Sequence, residues 1–322
     1  MTHSRPLLIF LIVALAALAA YPLFGDEFYQ ELVMRLMIMG IFAMSLDLLI
    51  GYTGLISFGH AAFFGLSGYM LAIITPEAEP VSIWLALPFC LIVTSVAALV
   101  IGWFSVRTSG IYFIMITLAF AQMFYYYFNE NQELGGSDGI FIFYKPTIAI
   151  GDFTLLDLNN HYTLYYFVLV SLVAVYVLLS MFLKAPFGQV IRGIHANEAR
   201  TKALGFNTQR YKLVSFVIAG TLAGFAGFLE AIHGGIMSPA HLGWHESGAV
   251  MMVVILGGMG TLYGPILGAF VMGFLQDYFQ EIWSDHWLLL MGIFVIAIVL
   301  FLPHGIAGLF AKFGRKKEED AS

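Results

Sequence analysis

Four polar residues interrupt apolar stretches of this sequence and are the first places to look for chemistry. Asp47, Glu230 and His233 could bind an ion or relay a proton, whereas Gln122 offers hydrogen bonds alone. A charged side chain at mid-bilayer costs about 2.5–3.5 kcal/mol on insertion scales, and less near a helix end. For Asp47 two interpretations stay equally open: a residue that lines or gates a path, or a helix-end carboxylate bonded to the backbone of residues 51–53. Glu230 and His233 are interpreted as interfacial residues that reach the outer water.

Two further constellations are too weak to predict a catalytic or metal site. Ser67 and His233 echo the serine–histidine pair of a hydrolase, but Ser67 is expected mid-span and His233 near an outer end. His241 and His245 have a spacing that could hold a metal on a helix, but Pro239 indicates a loop. The sequence has no Gly-x-x-x-x-Gly-Lys-Ser/Thr pattern, so we expect any ATP that drives this protein to be bound by another chain.

The composition restricts the chain to one class. It is 60% hydrophobic and 11% charged, with a mean hydropathy of +0.88, whereas a soluble globular chain is about 25% charged. Such a chain is predicted to be an all-α membrane protein with several spans. The single cysteine, Cys90, excludes disulfides within the chain, and the basic residues show no nucleic-acid-binding pattern.

Apolar segments long enough to cross a bilayer predict about ten spans. With the N-terminus in the cytosol, the basic residues other than Arg35 and Lys145 fall on the inner side, so the positive-inside rule places both termini in the cytosol. The first span is interpreted as retained, although it could be a cleaved signal peptide. The predicted spans are Leu7–Phe24, Leu32–Ile50, His60–Ile74, Ile83–Phe104, Ile111–Phe128, Tyr162–Leu183, Leu213–His233, Ser247–Gly257, Gly264–Phe279 and Trp287–Leu302.

These spans predict four regions of the chain. Residues 1–183 hold spans one to six, with an external loop at 129–161 that is expected to contain a short surface element. Residues 184–212 form a cytosolic insert, which we call the insert throughout. Residues 213–303 hold spans seven to ten, and residues 304–322 form a tail that is basic and then acidic.

The insert differs from every other loop because it carries six of the fourteen basic residues and helical patterns. A first helix is predicted up to Asn197. A second is expected to be stabilised by a Glu198–Lys202 pair, to end at Gly205 and to be followed by a cap at Asn207. Helices this short are marginal in water, so they are expected to dock on this protein or on a partner. The alternative is an ordinary basic loop held at lipid headgroups.

Two glycine-rich breaks, residues 47–65 and 257–268, flank short spans. Unwound backbone survives in a bilayer only where protein or a water-filled path satisfies it, and interrupted transporter helices tend to lie beside the substrate path. The regularly spaced glycines, such as Gly220 and Gly224, are interpreted as helix-packing residues. In the first break, by contrast, we favour a broken or re-entrant segment near a pore, where polar side chains mix with Gly51, Gly54 and Gly59.

Three motifs in the same order resemble one family. Residues 51–65 (GYTGLISFGHAAFFG) and 254–269 (VILGGMGTLYGPILGA) resemble the two signatures of the LivM-type permease subunits of bacterial branched-chain amino-acid ABC importers. The insert, with Ala203-Leu-Gly-Phe206, is similar to the ATPase-contacting loop of that family. The resemblance extends over about residues 32–308.

The resemblance implies an inner-membrane subunit that pairs with a LivH-type permease above two cytosolic ATP-binding subunits, with an external binding protein that delivers solute. This chain is then expected to be no enzyme and to bind no cofactor, since ATP and Mg²⁺ belong to the partner ATPase. The implied solute is a branched-chain amino acid, or a urea, amide or aromatic acid as in relatives. The implied ATPase-coupling residues are Gly188, Arg192, His195, Asn197, Glu198, Arg200, Ala203, Leu204 and Gly205. The implied path residues are Asp47, Thr53, Gly54, Ser57, Gly59, His60, Gly257, Gly258 and Gly260.

The main alternative function is an ion-coupled secondary transporter or a channel, with Asp47 or Glu230 as the ion or proton site. That alternative leaves the insert unexplained, because such a protein needs no segment that receives force from a cytosolic motor.

Overall fold

The computed structural model describes residues 5–76, 79–150, 153–302 and 305–308. Glu77, Asp152 and nearly all of the tail predicted for residues 304–322 lie outside these ranges. The described helices are α1 (Arg5–Ala20), α2 (Glu27–Thr53), α3 (His60–Ile74), α4 (Ile83–Ser105), α5 (Ile111–Glu130), α6 (His161–Lys184), α7 (Pro186–Ala203), α8 (Thr208–Gly234), α9 (Trp244–Gly257), α10 (Gly264–Ile282) and α11 (Trp287–Phe301). The described strands are β1 (Ile140–Phe141), β2 (Ile148–Ile150), β3 (Phe153–Leu156) and β4 (Ile236–Met237).

Helices dominate the fold, and several can cross a bilayer. Each of the ten predicted spans coincides with a helix, and the remaining helix, α7, lies in the insert. Six segments are long and apolar enough to cross a membrane: α2, α4, α5, α6, α8 and residues 287–308 around α11. An all-α membrane protein with several spans is therefore confirmed, and the count of ten stays a prediction.

Helix α2 lies at the centre of the bundle. The most apolar part of α2 is 89% buried inside this chain, compared with 12% for the segment that contains α11. Helices α8, α6, α9 and α10 pack around it. An apolar helix that is shielded from both lipid and water must be enclosed by other helices, so α2 is a core helix of the bundle.

Glycines bring α8 close to its neighbours. A Cβ atom at Gly224 would lie 2.6 Å from Thr94, and one at Gly220 would lie 2.7 Å from Ala98, both on α4. Small residues allow such close helix contact in membranes, where packing rather than hydrophobicity drives association. The packing interpretation of Gly220 and Gly224 is confirmed.

Two short helices start inside the bundle. Helices α3 and α9 contain 15 and 14 residues, or about 22 and 21 Å at 1.5 Å per residue, less than the roughly 30 Å hydrocarbon core. Their first turns meet, because the backbone N–H of Ala61 donates to Ser247 Oγ at 2.9 Å. The non-helical residues 54–59 lead into α3, and residues 235–243, with Met237 and Leu242 fully buried, lead into α9.

Short strands lie at the end of the bundle opposite the insert. Strands β2 and β3 form an antiparallel hairpin in the predicted external loop, and β1 pairs antiparallel with β4. The β1–β4 pair ties this loop to the segment between α8 and α9. The expected surface element at 129–161 is therefore present.

Replacing Gly227 by alanine should lower the free energy of unfolding by about 1–3 kcal/mol, because the added methyl would overlap with the backbone oxygen of Phe64 on α3. Denaturant unfolding in detergent micelles measures the change. The matched control is Gly292→Ala on α11, where a Cβ atom would have nothing within 4 Å. Equal effects of the two substitutions would contradict the close α3–α8 approach.

Candidate functional site

The two glycine-rich breaks meet at Asp47, Gly51 and Gly260, which we call the glycine junction. Asp47 is fully buried on α2, and its Oδ1 accepts a hydrogen bond of 2.8 Å from the backbone N–H of Gly260. Gly260 lies in the turn between α9 and α10. A carboxylate on one helix thus satisfies an unwound backbone group that belongs to another.

The junction requires glycine on both sides. A Cβ atom at Gly51 would overlap with Asp47 Oδ1 and with the backbone nitrogen of Gly260. Gly260 has a φ of +74°, a conformation that residues with a side chain rarely adopt. At Gly51 and Gly260 the two breaks can therefore approach each other only where neither residue carries a side chain.

The structure decides part of the question left open for Asp47. The helix-end interpretation named the backbone of residues 51–53 as its partner, and that partner is wrong, because the donor is Gly260. The second carboxylate oxygen, Oδ2, has no hydrogen-bond partner among the residues that the structure describes. Whether Asp47 also lines a path stays a prediction.

The first break is a broken segment, as predicted. His60 Nε2, at the start of α3, lies 2.9 Å from Ser45 Oγ on α2. Ser45 precedes the end of α2 at Thr53 by eight residues, so α3 begins about 12 Å back along α2. Residues 54–59 must therefore run back into the bundle in a non-helical conformation.

Side chains satisfy the backbone of this segment. The N–H of Phe58 donates to Thr117 Oγ1 on α5 at 3.3 Å, and the N–H of Gly59 donates to Ser57 Oγ at 3.3 Å. Together with the Ala61–Ser247 bond, these contacts meet the requirement for paired backbone groups inside a membrane protein. Sequence reasoning missed Ser45, Thr117 and Ser247, since a lone Ser or Thr in an apolar helix gives no signal of its partner.

The predicted path residues occupy different environments. Thr53, Ser57 and His60 are buried inside this chain, and the His60 ring stacks on Phe42. Gly54 is exposed and ends α2 with a φ of +78°. At the second break, α9 ends at Gly257, and Gly258 packs against the backbone of Gly305. Their path-lining role stays a prediction.

The insert folds as two helical pieces that meet at Asn197. Asn197 leaves the helical conformation (φ −164°, ψ 101°), and its side chain accepts from the N–H of Arg200 at 2.9 Å, which caps the second piece. The second piece ends before Gly205, whose φ is +91°. Asn207 then caps α8 by accepting from the N–H of Arg210 at 3.2 Å. The predicted end of the first helix at Asn197, the stop at Gly205 and the cap at Asn207 are confirmed.

The insert is fastened by an ion pair that differs from the predicted one. Glu198 pairs with Lys212 on α8 at 2.5 Å, and not with Lys202 on its own helix. Partial burial alone would raise the pKa of Glu198, but the hydrogen bond and charge of Lys212 outweigh it and hold the pKa below its usual 4.5. The expected Glu198–Lys202 pair is therefore wrong, because 8%-exposed Lys212 competes with it from a neighbouring helix.

The insert touches the end of α2 directly. The Arg192 guanidinium carbon lies 5.4 Å from the centre of the Tyr52 ring, within the range of a cation–π interaction. A Cβ atom at Gly54 would lie 3.7 Å from the His195 backbone and ring. Two of the predicted coupling residues thus pack against the first glycine-rich break, five to seven residues from Asp47 along the chain.

Other predicted coupling residues differ in exposure. Gly188 is buried against Leu183 at the turn from α6 into α7. Arg200, Ala203, Leu204 and Gly205 are exposed, and 72% of the Leu204 surface is accessible. Phe206 is also exposed beside Leu204. The tip of the insert, residues 202–207, therefore presents apolar groups that this chain does not cover.

The polar residues at the opposite end of the bundle form no catalytic pair. Glu230 and His233 are half-buried near the end of α8. His241 Nδ1 lies 3.2 Å from Ser238 Oγ, within its own turn. Ser67 is fully buried, and within the described part of the chain its hydroxyl has no partner.

Replacing Asp47 by alanine should destabilise the protein by about 1–3 kcal/mol, because it leaves the Gly260 N–H unpaired in a buried site. Asp47→Asn keeps an oxygen acceptor and should lose less. Hydrogen exchange of residues 258–263 measures the effect locally, with Asp138→Ala on an exposed loop as the control. If Asp47→Ala and Asp47→Asn raised the exchange rate equally, the hydrogen bond to Gly260 would not be what stabilises the turn.

Acidification should loosen the insert. Because the pKa of Glu198 is lowered in the folded protein, the ion pair stabilises the docked insert above pH 4.5 and loses this effect as the pH falls below it. Hydrogen exchange of residues 198–212, corrected for the intrinsic pH dependence of exchange, should show this loss. Glu198→Gln should exchange faster at pH 7 and lack the pH-dependent step. An identical pH step in Glu198→Gln would assign the change to other groups.

The sequence matches one protein family over most of its length. The family described as "Branched-chain amino acid transport system / permease component" matches residues 28–299. The chain is 26% identical to the high-affinity branched-chain amino acid transport system permease protein LivM of Escherichia coli, over 92% of this chain and 74% of LivM. It is 25% identical to the permease protein LivH of the same organism, over 40% of this chain and 42% of LivH.

A ribose transporter subunit also matches in part. The ribose import permease protein RbsC of Escherichia coli is 30% identical over 28% of this chain and 30% of its own length. No solved structure matches the chain. Because the family match covers most of the sequence, the chain belongs to the family of permease components of branched-chain amino acid transport systems.

Proposed function

We propose that this chain is one of two homologous permease subunits in an ATP-driven importer of the inner membrane. Two cytosolic ATP-binding subunits would dock below it, and an external binding protein would deliver the solute. In this arrangement the insert and both termini face the cytosol, as the distribution of basic residues favours. ATP and Mg²⁺ would be bound by the partner ATPase.

The observation that carries this proposal is the contact between the insert and α2. An ATPase-driven transporter must pass force from a soluble motor to its spanning helices. Arg192 and His195 of the insert pack on Tyr52 and Gly54, at the end of the most buried helix. The exposed apolar Leu204 offers a surface for the motor to hold.

The proposed mechanism is alternating access around the glycine-rich breaks. Motion of the insert would reach Asp47 within two turns of α2 and pass to Gly260 through their hydrogen bond. The other path residues named above lie in the same two breaks and would line or gate the passage. Broken helices of this kind typically border transporter substrate sites.

The proposed solute is a branched-chain amino acid or a related small polar solute. The family description and the LivM relatives support the first choice. The partial match to a ribose permease shows that related chains can serve a different solute. We expect specificity to depend largely on the binding protein.

Gentle purification from native cells, followed by mass spectrometry of accompanying proteins, tests the proposed assembly. Recovery of ATP-binding subunits and a second permease is the expected result. A single species with no ATPase, even after crosslinking through the insert, would contradict the proposal. Any binding protein recovered in the same sample can be screened for its ligand.

Replacing Leu204 by glutamate should abolish stimulation of ATP hydrolysis by the loaded binding protein, because it places a charge on the apolar tip that would meet the motor. Membrane insertion and thermal stability should not change, since Leu204 is exposed in this chain. Gln209→Glu adds the same charge at an exposed position outside the predicted coupling residues and serves as the control. Normal stimulation of ATP hydrolysis in Leu204→Glu would show that the tip of the insert is not part of the proposed docking surface.

A further inference from the structure

A pocket with charged walls lies between α2, α9 and α10, away from the glycine junction. Its volume is about 120 Å³, and it is lined on two sides by Arg35 of α2 and Asp277 of α10. Arg35 precedes Gly51 by 16 residues, so it lies about 24 Å from the junction along α2. Asp277 likewise lies about 20 Å along α10 from Gly264. The pocket therefore belongs to the half of the bundle opposite the insert.

The walls of the pocket are regular helix stripes. On α2, Arg35 is flanked by apolar residues one helical turn away on either side, Leu32 and Met39. On α10, the lining changes along one stripe from Ala269 and Met272 to the polar Gln276, Asp277 and Gln280. Ala249 and Val253 of α9 complete the wall. The pocket therefore combines apolar residues with opposite charges on facing helices.

The two charged side chains do not neutralise each other. Among the described residues, the only ion pair within 4 Å is Glu198–Lys212, so Arg35 and Asp277 do not pair across the pocket. Within the described part of the chain, Arg35 forms no ion pair with Glu230 of α8 either. Arg35 lies on α2, which is long and apolar enough to cross a membrane, and ionisable residues inside a membrane are costly and commonly mark substrate pathways. The gap between these two charges is space that a ligand can fill.

The chemistry of the walls selects a class of ligand. The planar guanidinium of Arg35 matches a carboxylate, and Asp277 with Gln276 and Gln280 can accept hydrogen bonds from an ammonium group. The apolar stripe suits an aliphatic side chain. The volume is well below the roughly 300–1,000 Å³ of drug-sized sites, so the pocket fits a small solute.

We propose that this pocket binds a small zwitterionic solute with an apolar side chain, with its carboxylate on Arg35 and its ammonium on Asp277 and the neighbouring glutamines. The inference rests on the proposed import function and deepens it, because it identifies an outer holding site through which the solute passes before it reaches the glycine junction.

Binding of radiolabelled L-leucine to the purified permease–ATPase complex, in phosphatidylglycerol nanodiscs without ATP or binding protein, tests this proposal. Arg35→Gln and Asp277→Asn should each weaken binding about tenfold or more, since each removes a charge-assisted hydrogen bond. Arg35→Lys, which keeps the charge, should weaken it less. Glu281→Gln, a neutralised carboxylate on the same helix but outside the pocket, should bind as the wild type does.

Two competitors separate the charges. Isocaproate lacks the ammonium of leucine, and isoamylamine lacks its carboxylate. Arg35→Gln should weaken competition by isocaproate only, and Asp277→Asn should weaken competition by isoamylamine only. If either residue had only a structural role, its substitution would weaken competition by both compounds together. That result would overturn the assignment of the carboxylate to Arg35 and the ammonium to Asp277. Thermal unfolding of each variant shows whether the fold is retained.

A zwitterionic lipid headgroup presents the same charges and is the competing occupant. Binding that phosphatidylethanolamine abolishes, or wild-type complex that fails to bind L-leucine, would overturn the proposal. ATP-driven uptake by the wild-type complex with its binding protein is measured in parallel. Uptake without pocket binding contradicts this inference alone, whereas a wild-type complex without ATP-driven uptake contradicts the proposed import function itself.

Discussion

The backbone inside a bilayer must find its hydrogen bonds within the protein, and this constraint organises the centre of the bundle. Helices α3 and α9 are shorter than the hydrocarbon core of a bilayer and begin in the interior of the bundle, which leaves non-helical segments there. Thr117 of α5, Ser247 of α9 and Asp47 of α2 each satisfy a backbone N–H of a different segment. These hydrogen bonds connect several helices. Apolar packing alone is not directional and would not fix their relative positions.

The same constraint explains why glycine and a carboxylate occur together. Gly51 and Gly260 let two backbones approach, but the approach exposes an N–H that needs an acceptor. Asp47, one turn before Gly51, is placed to accept it. A larger residue at Gly51 would displace the acceptor and the donor together. The junction therefore behaves as a unit, and its three residues are expected to be strongly coupled energetically.

The sequence predicted the helices and their ends better than it predicted the contacts between helices. Apolar length found the ten helices, and Gly205, Asn197 and Asn207 marked ends and caps, because these signals are local. The partners of Asp47 and Glu198 were missed, because both lie far along the chain or on another helix. An ion pair between residues i and i+4 of one helix can be predicted from their spacing. A better-placed lysine on a neighbouring helix can be recognised only once the fold is known. The buried segment before α9 was missed for the same reason.

The pocket and the insert are connected through the same two helices. Helix α2 carries Arg35 in one half and meets the insert at Tyr52 and Gly54 in the other. Helix α10 carries Asp277 and begins just after Gly260, which α2 holds through Asp47. A packed helix moves as a rigid element about a hinge of non-helical residues. A rotation at the glycine junction would therefore change the distance between Arg35 and Asp277 about 20 Å away. If the insert tilts α2 relative to α10, the two charges separate, and a zwitterion bridging them loses one of its two contacts. In the proposed importer, release from the pocket would then be coupled to the ATP-binding subunits without any direct contact between them and the solute.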